Sequence, residues 1–209
     1  MVYNQKIAQN MRTSMIRRKK PYENQLERVK RWKNRIENSI NDYRQGKLTL
    51  PPLEFTDTIW SFFVSCDHMK DYIHNDATIK TKQSPYNHLD NTECLKICRD
   101  ISVGVKHLII KDPKTTGGPF LINLTAKRDD TTGKMLFDIN IKSQTVREDF
   151  LRLANECILA WEDFIQREIA SQPKKQIKKI CPICKVEVKI DDDLMAFDCP
   201  NCKTENVLV

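Results

Sequence analysis

The chain has 209 residues, 35 Lys and Arg against 28 Asp and Glu, eight Cys and only five Gly. Apolar residues at 40% suffice for a core, and the length suits one domain with a small appendage. Scarce glycine disfavours dinucleotide-binding and P-loop folds, no apolar run approaches the roughly 18 residues that cross a bilayer, and no secretory signal is visible; a cytoplasmic protein without a membrane role is expected.

Charge is spread unevenly. Residues 1–40 carry 11 basic and 3 acidic side chains, a net of +8, whereas residues 41–170 carry 17 and 19, a net of −2. Residues 171–180 add +4, and residues 181–209 carry 3 and 6, a net of −3. An anionic partner, RNA or another nucleic acid, is therefore expected at a basic arm over 1–21 and a basic linker over 171–180. A solvated charged surface is the alternative at both.

The arm holds no acidic residue and ends in Arg17-Arg18-Lys19-Lys20-Pro21. The helical domain is expected over 22–170. Its first helix spans 22–45, because Tyr22, Leu26, Val29, Ile36, Ile40 and Tyr43 recur at helical spacing. Trp32 lies beside that stripe, and Arg28, Arg31, Lys33 and Arg35 take the opposite face. Gly46 and Pro51-Pro52 then end the helix. A second helix is expected over 57–75, capped by Asp57 and buried through Ile59, Phe62, Phe63, Cys66, Met69 and Ile73. Residues 76–89 read as a loop. A third helix is expected over 91–109, with Asp90 and Glu93 at capping-box spacing.

The hydrophobic period then changes from 3.6 to 2. Phe120, Ile122, Leu124 and Ala126, then Met135, Phe137, Ile139 and Ile141, predict a β-hairpin over 120–142 closed by residues 128–133. A fourth helix is expected over 146–169, where Phe150, Leu153, Cys157, Ala160 and Phe164 share a face. The resulting fold class is mainly α: a helical bundle with an inserted β-hairpin, plus a small C-terminal zinc ribbon.

The ribbon is expected over 181–209. Cys181-Pro182-Ile183-Cys184 and Cys199-Pro200-Asn201-Cys202 are two C-x-x-C turns separated by 14 residues. Each turn aims two thiolates at one point, and four thiolates complete a closed tetrahedral site for structural Zn²⁺. So few residues cannot hold a fold by burial alone, so the metal supplies folding energy. The alternating Val186, Val188 and Ile190, the Asp191-Asp192-Asp193 turn and Met195–Phe197 predict a strand, a turn and a strand. The acidic turn favours a protein partner at the ribbon over phosphate. Cys66, Cys94, Cys98 and Cys157 fall on apolar helix faces and read as small core residues.

Any chemistry in the helical domain is expected on the second and third helices. Asp100, Gly104 and His107 share one stripe, Arg99 and Lys106 an adjoining one, and His68 and Asp71 lie a turn apart on the preceding helix. If these helices pair, the carboxylates of Asp71 and Asp100 meet His68, His107, Arg99 and Lys106 at one groove. The alternatives are a buried polar network that sets helix register, or a second metal site built from His68, Asp71 and His107.

The segments WSFFVSCDHMKDYIHND (60–76), CLKICRDISVGVKHLII (94–110) and ECILAWEDFI (156–165) carry a resemblance to a family of uncharacterised prokaryotic and phage proteins with a helical core. More distantly, the arrangement is similar to HEPN-type helical domains, many of which are metal-independent ribonucleases working as dimers. That resemblance implies a homodimer in which Arg99 stabilises phosphate charge and His107 is the general acid and base, with Asp100 at the polar position after the Arg. Seven residues separate Arg99 from His107, one more than the HEPN motif has, and one residue turns a helical side chain by about 100°. A ribonuclease of that class and a non-catalytic nucleic-acid- or protein-binding module are the two functional expectations.

Overall fold

The structure is a computed structural model that describes residues 19–45, 47, 52–106, 114, 120–128, 130–132, 135–143, 147–171, 176–191, 194 and 196–207. Its described part is mainly helical, with small antiparallel sheets. The chain divides into two compact units, Pro21–Ser171 and a second that includes Gln172–Val209. The expected arm over 1–21 falls almost wholly outside the described residues.

In the larger unit, α1 (Pro21–Arg44) buries Tyr22, Gln25, Val29, Ile36 and Ile40 along one stripe. Gln25 is a polar member of that apolar face, and it is satisfied: its amide Nε2 donates to the Ser65 carbonyl at 2.6 Å. The next helix, α2 (Pro52–Asp67), begins earlier than expected. Pro52 opens it, as suits a residue with fixed φ and no N–H at a first turn. Asp57 is consequently inside the helix, where its carbonyl accepts from the Ser61 hydroxyl at 2.8 Å, and is not its cap.

The single helix expected over 57–75 is two. After α2, His68 makes a turn and α3 (Met69–His74) follows. The expected loop over 76–89 also contains a helix, α4 (Pro85–Asp90), capped by the Ser84 hydroxyl, which accepts from the Tyr86 N–H at 3.3 Å. Ser-Pro at the N-cap and first helical position was the available signal. Asp90 closes α4, and so does not cap α5 (Glu93–Lys106). Instead the Thr92 carbonyl accepts from the Leu95 and Lys96 N–H groups, both at 3.0 Å.

β1 (Leu121–Arg128) and β2 (Met135–Lys142) form the antiparallel hairpin, with Ile122 opposite Ile141 and Leu124 opposite Ile139. A short β3 (Arg147–Asp149) adds a third strand where helix was expected. Asp149 then caps α6 (Phe150–Ile165), its side chain accepting from the Arg152 N–H at 2.8 Å. A π-helical turn over Gln166–Ala170 extends α6.

α2 packs between α1 and α5, and α6 closes against α1, α5 and the hairpin. Phe62, Phe63 and Phe150 meet edge to face at centroid distances of 5.3–5.7 Å, a favoured aromatic arrangement, and Trp161 and Phe164 are fully buried beside them in the same core.

The smaller unit has two hairpins. β4 (Gln176–Ile180) pairs with β5 (Glu187–Asp191), and β6 (Ala196–Asp198) pairs with β7 (Glu205–Val207). Two expectations are corrected here. Part of the basic linker over 171–180 is strand, and β5 pairs with that strand rather than returning against residues 195–197. The four lysines over 171–180 masked the strand, because β4 exposes nearly every side chain and so lacks a clean alternation. Val188, Ile190 and Phe197 form a small core with Cys181 and Cys199, distinct from the core of the larger unit.

Candidate functional site

Each C-x-x-C turn closes one hairpin of the smaller unit. The two turns have the same backbone bonds. The Lys185 N–H donates to the Cys181 carbonyl at 2.9 Å, and the Lys203 N–H to the Cys199 carbonyl at 2.8 Å. The Cys181 and Cys199 N–H groups donate onward to the Val186 and Thr204 carbonyls at 2.9 and 3.0 Å. Lys185 and Lys203 both take φ of 60°, a left-handed conformation that costs a non-glycine residue about 1–2 kcal/mol. The sequence repeat C-P-x-C-K is thus a structural repeat, and both copies bear the same strain.

The outcome is a convergence of sulfurs. The Sγ atoms of Cys181, Cys184, Cys199 and Cys202 all lie within 4.8 Å of one another. The Cys181–Cys202 separation is 3.7 Å and the Cys184–Cys199 separation 3.5 Å. Thiolates about 2.3 Å from one ion at tetrahedral corners stand about 3.8 Å apart. Two of the six separations are already near that spacing and none exceeds 4.8 Å, so the donor set can close on one metal ion by small shifts. Neighbouring groups favour the thiolate at Cys184 and Cys202, while burial and the Cys184 and Cys202 thiols raise Cys199 to about 11. The Asn201 side chain and the Val186 N–H lower Cys184 to about 6, and the Thr204 side chain and N–H lower Cys202 below its ordinary value. Ile183 and Val186, beside the first turn, are exposed and give this unit an apolar surface.

The polar residues expected to meet in the helical unit are only partly brought together. Asp100 is 1% exposed on α5. It accepts from the Arg99 guanidinium at 2.9 Å and from the Lys114 N–H at 2.9 Å, which ties the segment after α5 back to the helix. Asp71, on α3, accepts from the Tyr86 hydroxyl of α4 at 2.8 Å. That bond raises the Tyr86 phenol above its ordinary value, because the carboxylate holds its proton. His68 is the turn residue between α2 and α3. Gly104 is exposed near the end of α5. The Lys106 side chain and the whole of His107 lie outside the described residues, and with them the expected site using His68, Asp71 and His107.

A buried polar cluster not singled out from the sequence lies beside this region. Asp67, 5% exposed at the end of α2, pairs with Lys70 and accepts from the Ser102 hydroxyl of α5 at 3.2 Å. Spacing gives no sign of it, because Ser102 lies 35 residues away on another helix. Cys66, Cys98 and Cys157 are buried as expected, but their three sulfurs also converge within 4.8 Å. That convergence links α2, α5 and α6, and spacing along one chain carries no signal of it.

On the outer side of α1, Arg28, Arg31, Trp32, Arg35, Asn38, Ser39 and Asp42 follow one another at helical spacing and line a shallow groove. The Arg35 guanidinium lies 5.1 Å from the centre of the Trp32 ring. Trp32 is half-buried and packs against the core. The Arg28 guanidinium donates through Nη1 to the Gln25 amide oxygen at 3.0 Å.

No protein-family model, curated protein or solved structure matches the chain. Among the described residues, no helix is long and apolar enough to cross a membrane.

Proposed function

We propose that the protein is a non-catalytic nucleic-acid-binding module that engages single-stranded nucleic acid, RNA first, through the exposed face of α1. A structural Zn²⁺ held by Cys181, Cys184, Cys199 and Cys202 organises its C-terminal unit as a zinc ribbon.

The observation that carries this reading is the Arg28–Arg31–Trp32–Arg35 stripe. Single-stranded nucleic acids are bound by cationic grooves that track phosphates and by flat surfaces on which bases stack. Trp32 with Arg35 over its ring supplies such a surface, and Arg28 and Arg31 add charge alongside. Lys19 and Lys20 immediately precede the helix and extend the basic character. The helical unit has no comparable support for catalysis. A carboxylate committed to Arg99 and to a backbone N–H, as Asp100 is, is poorly placed to move protons at a substrate.

For zinc, the support is the four-sulfur convergence and the all-thiolate donor set, which suits a closed structural site with no open position for water.

Fluorescence anisotropy with labelled single-stranded RNA, the same DNA sequence and a duplex tests the reading. Binding to the RNA should fall steeply with salt, by about 0.7 log units per log unit of salt for each phosphate neutralised. R31A with R35A should reduce the magnitude of that slope by about 1.4. W32L, which preserves an apolar side chain, should weaken binding by about ten-fold, from loss of one stacked base. Binding that is absent at low salt, or unaffected by these changes, refutes the proposal. Native mass spectrometry should show one zinc ion lost when Cys199 is replaced by Ser.

A further inference from the structure

The helical core has its own convergence of thiols. Cys66 comes from α2, Cys98 from α5 and Cys157 from α6, and their Sγ atoms lie within 4.8 Å of one another. Each is no more than 1% exposed. As free thiols, Cys98 and Cys157 bond the Phe63 and Cys94 carbonyls at 3.5 and 3.3 Å. Filling this space calls only for small apolar groups, and alanine or valine would do so without three sulfurs at one point.

Trp161 is a second, independent observation. It stands one turn beyond Cys157 on α6 and is fully buried. Among the described residues its indole N–H makes no full hydrogen bond, and the Cys66 thiol is the group it approaches. A buried N–H left unmatched costs about 1–3 kcal/mol. A thiolate at Cys66 would give it a charged acceptor, and a buried thiolate persists only beside a cation.

We propose that Cys66, Cys98 and Cys157 bind one soft, thiophilic d¹⁰ cation, Cu⁺ or Zn²⁺, at a site separate from the C-terminal one. Thiolates about 2.3 Å from a shared ion stand about 4.0 Å apart when three-coordinate and about 3.8 Å apart when tetrahedral. The sulfurs are already close enough that sub-ångström to ångström shifts close the site. Each ligating thiol gives its proton to solvent as the metal enters. Cys94 supplies the approach. It lies one turn before Cys98 on α5, is partly exposed, and interacts with Cys157. Its sulfur lies outside the group of three that converge within 4.8 Å, so it becomes a fourth thiolate only if its side chain moves in. Three donors suffice for Cu⁺, whereas Zn²⁺ favours four.

This inference is independent of the nucleic-acid reading, and its test leaves the C-terminal site intact. Full-length protein is reduced anaerobically, loaded with zinc, and then titrated with Cu⁺ against a chromogenic chelator. A parallel sample receives excess Zn²⁺ alone. Metals per chain are counted by native mass spectrometry. The wild type should hold one ion more than C66A, and the Cu⁺ sample should show a copper–thiolate absorption band that C66A lacks. C94S separates the two ions: Cu⁺ binding survives it, while Zn²⁺ binding weakens at least ten-fold. C98A is measured alongside, with circular dichroism on each variant, so that a folded three-thiol knockout is available if one substitution unfolds the unit. X-ray absorption on the copper sample should give a sulfur-only shell of three. One metal ion per chain in the wild type under both loadings, or the same count in folded C66A or C98A, overturns the proposal.

Discussion

Replacing Asp100 distinguishes a structural carboxylate from a catalytic one. The side chain is 1% exposed, and the bonds it accepts include those from the Arg99 guanidinium and the Lys114 N–H. Asp100→Ala removes the bond from the Lys114 N–H and the carboxylate that faces Arg99, whose side chain is 19% exposed. Hydrogen bonds to charged groups are worth about 1.5–3 kcal/mol each, and breaking a buried ion pair typically costs about 3–5 kcal/mol. Arg99 retains some access to water, which places the expected loss near the lower end, about 3 kcal/mol. Asp100→Asn keeps an oxygen for both donors and gives up only the charge, so about 1 kcal/mol is expected. The assay is urea unfolding followed by tryptophan fluorescence, because Trp32, Trp60 and Trp161 all lie in the larger unit and report on it alone. With a urea slope of about 2 kcal/mol per molar, the midpoint should fall by about 1.5 M in D100A and about 0.5 M in D100N. A D100A midpoint within about 0.2 M of the wild type would refute the structural account of this residue.

In the smaller unit, Cys199→Ser should cause residues 176–207 to lose chemical-shift dispersion in a heteronuclear NMR spectrum while the tryptophan indole signals stay in place, since the two cores are distinct. Collapse of both sets of signals would show that the cores are not independent. Lys203→Gly should relieve the 60° φ; after the added entropy of glycine in the unfolded chain, a net gain of about 0.5 kcal/mol is expected, read as a two-fold rise in the chelator concentration needed to remove the ion. His88 packs 4.7 Å from Phe164 and 5.4 Å from Trp161 and donates its Nε2 proton to the Ala160 carbonyl at 3.1 Å. Burial holds its folded value below the ordinary 6.5, so the stabilisation is complete above 6.5 and is lost as pH falls from there through the folded value. Urea midpoints for the wild type should therefore decline relative to His88→Gln as pH drops from 7 toward 5; parallel curves would remove His88 as the cause.

The amino-acid sequence by itself determined most of the helical elements, because α1, α5 and α6 each bury one stripe and must repeat at helical spacing to do so. It also determined the hairpin, through the change of period at Phe120, and the four C-terminal thiols, because C-P-x-C-K is a local turn whose chemistry is complete within five residues. Element boundaries were less legible where two signals competed. Asp57 and Asp90 each look like caps, yet Pro52 starts α2 earlier and Ser84 starts a helix that Asp90 ends. β4 was hidden because an exposed lysine-rich strand has no apolar alternation to declare it.

Tertiary structure alone decided what the polar and sulfur-bearing residues of the helical unit do. Asp71, Arg99 and Asp100 can be placed on helix faces from spacing, but only packing gives Asp71 to Tyr86 and Asp100 to Arg99 and the Lys114 N–H. Likewise Cys66, Cys98 and Cys157 each read from sequence only as small members of an apolar stripe. They meet because α2, α5 and α6 share one core, and which faces of three helices confront one another is set by the packing of all their side chains together.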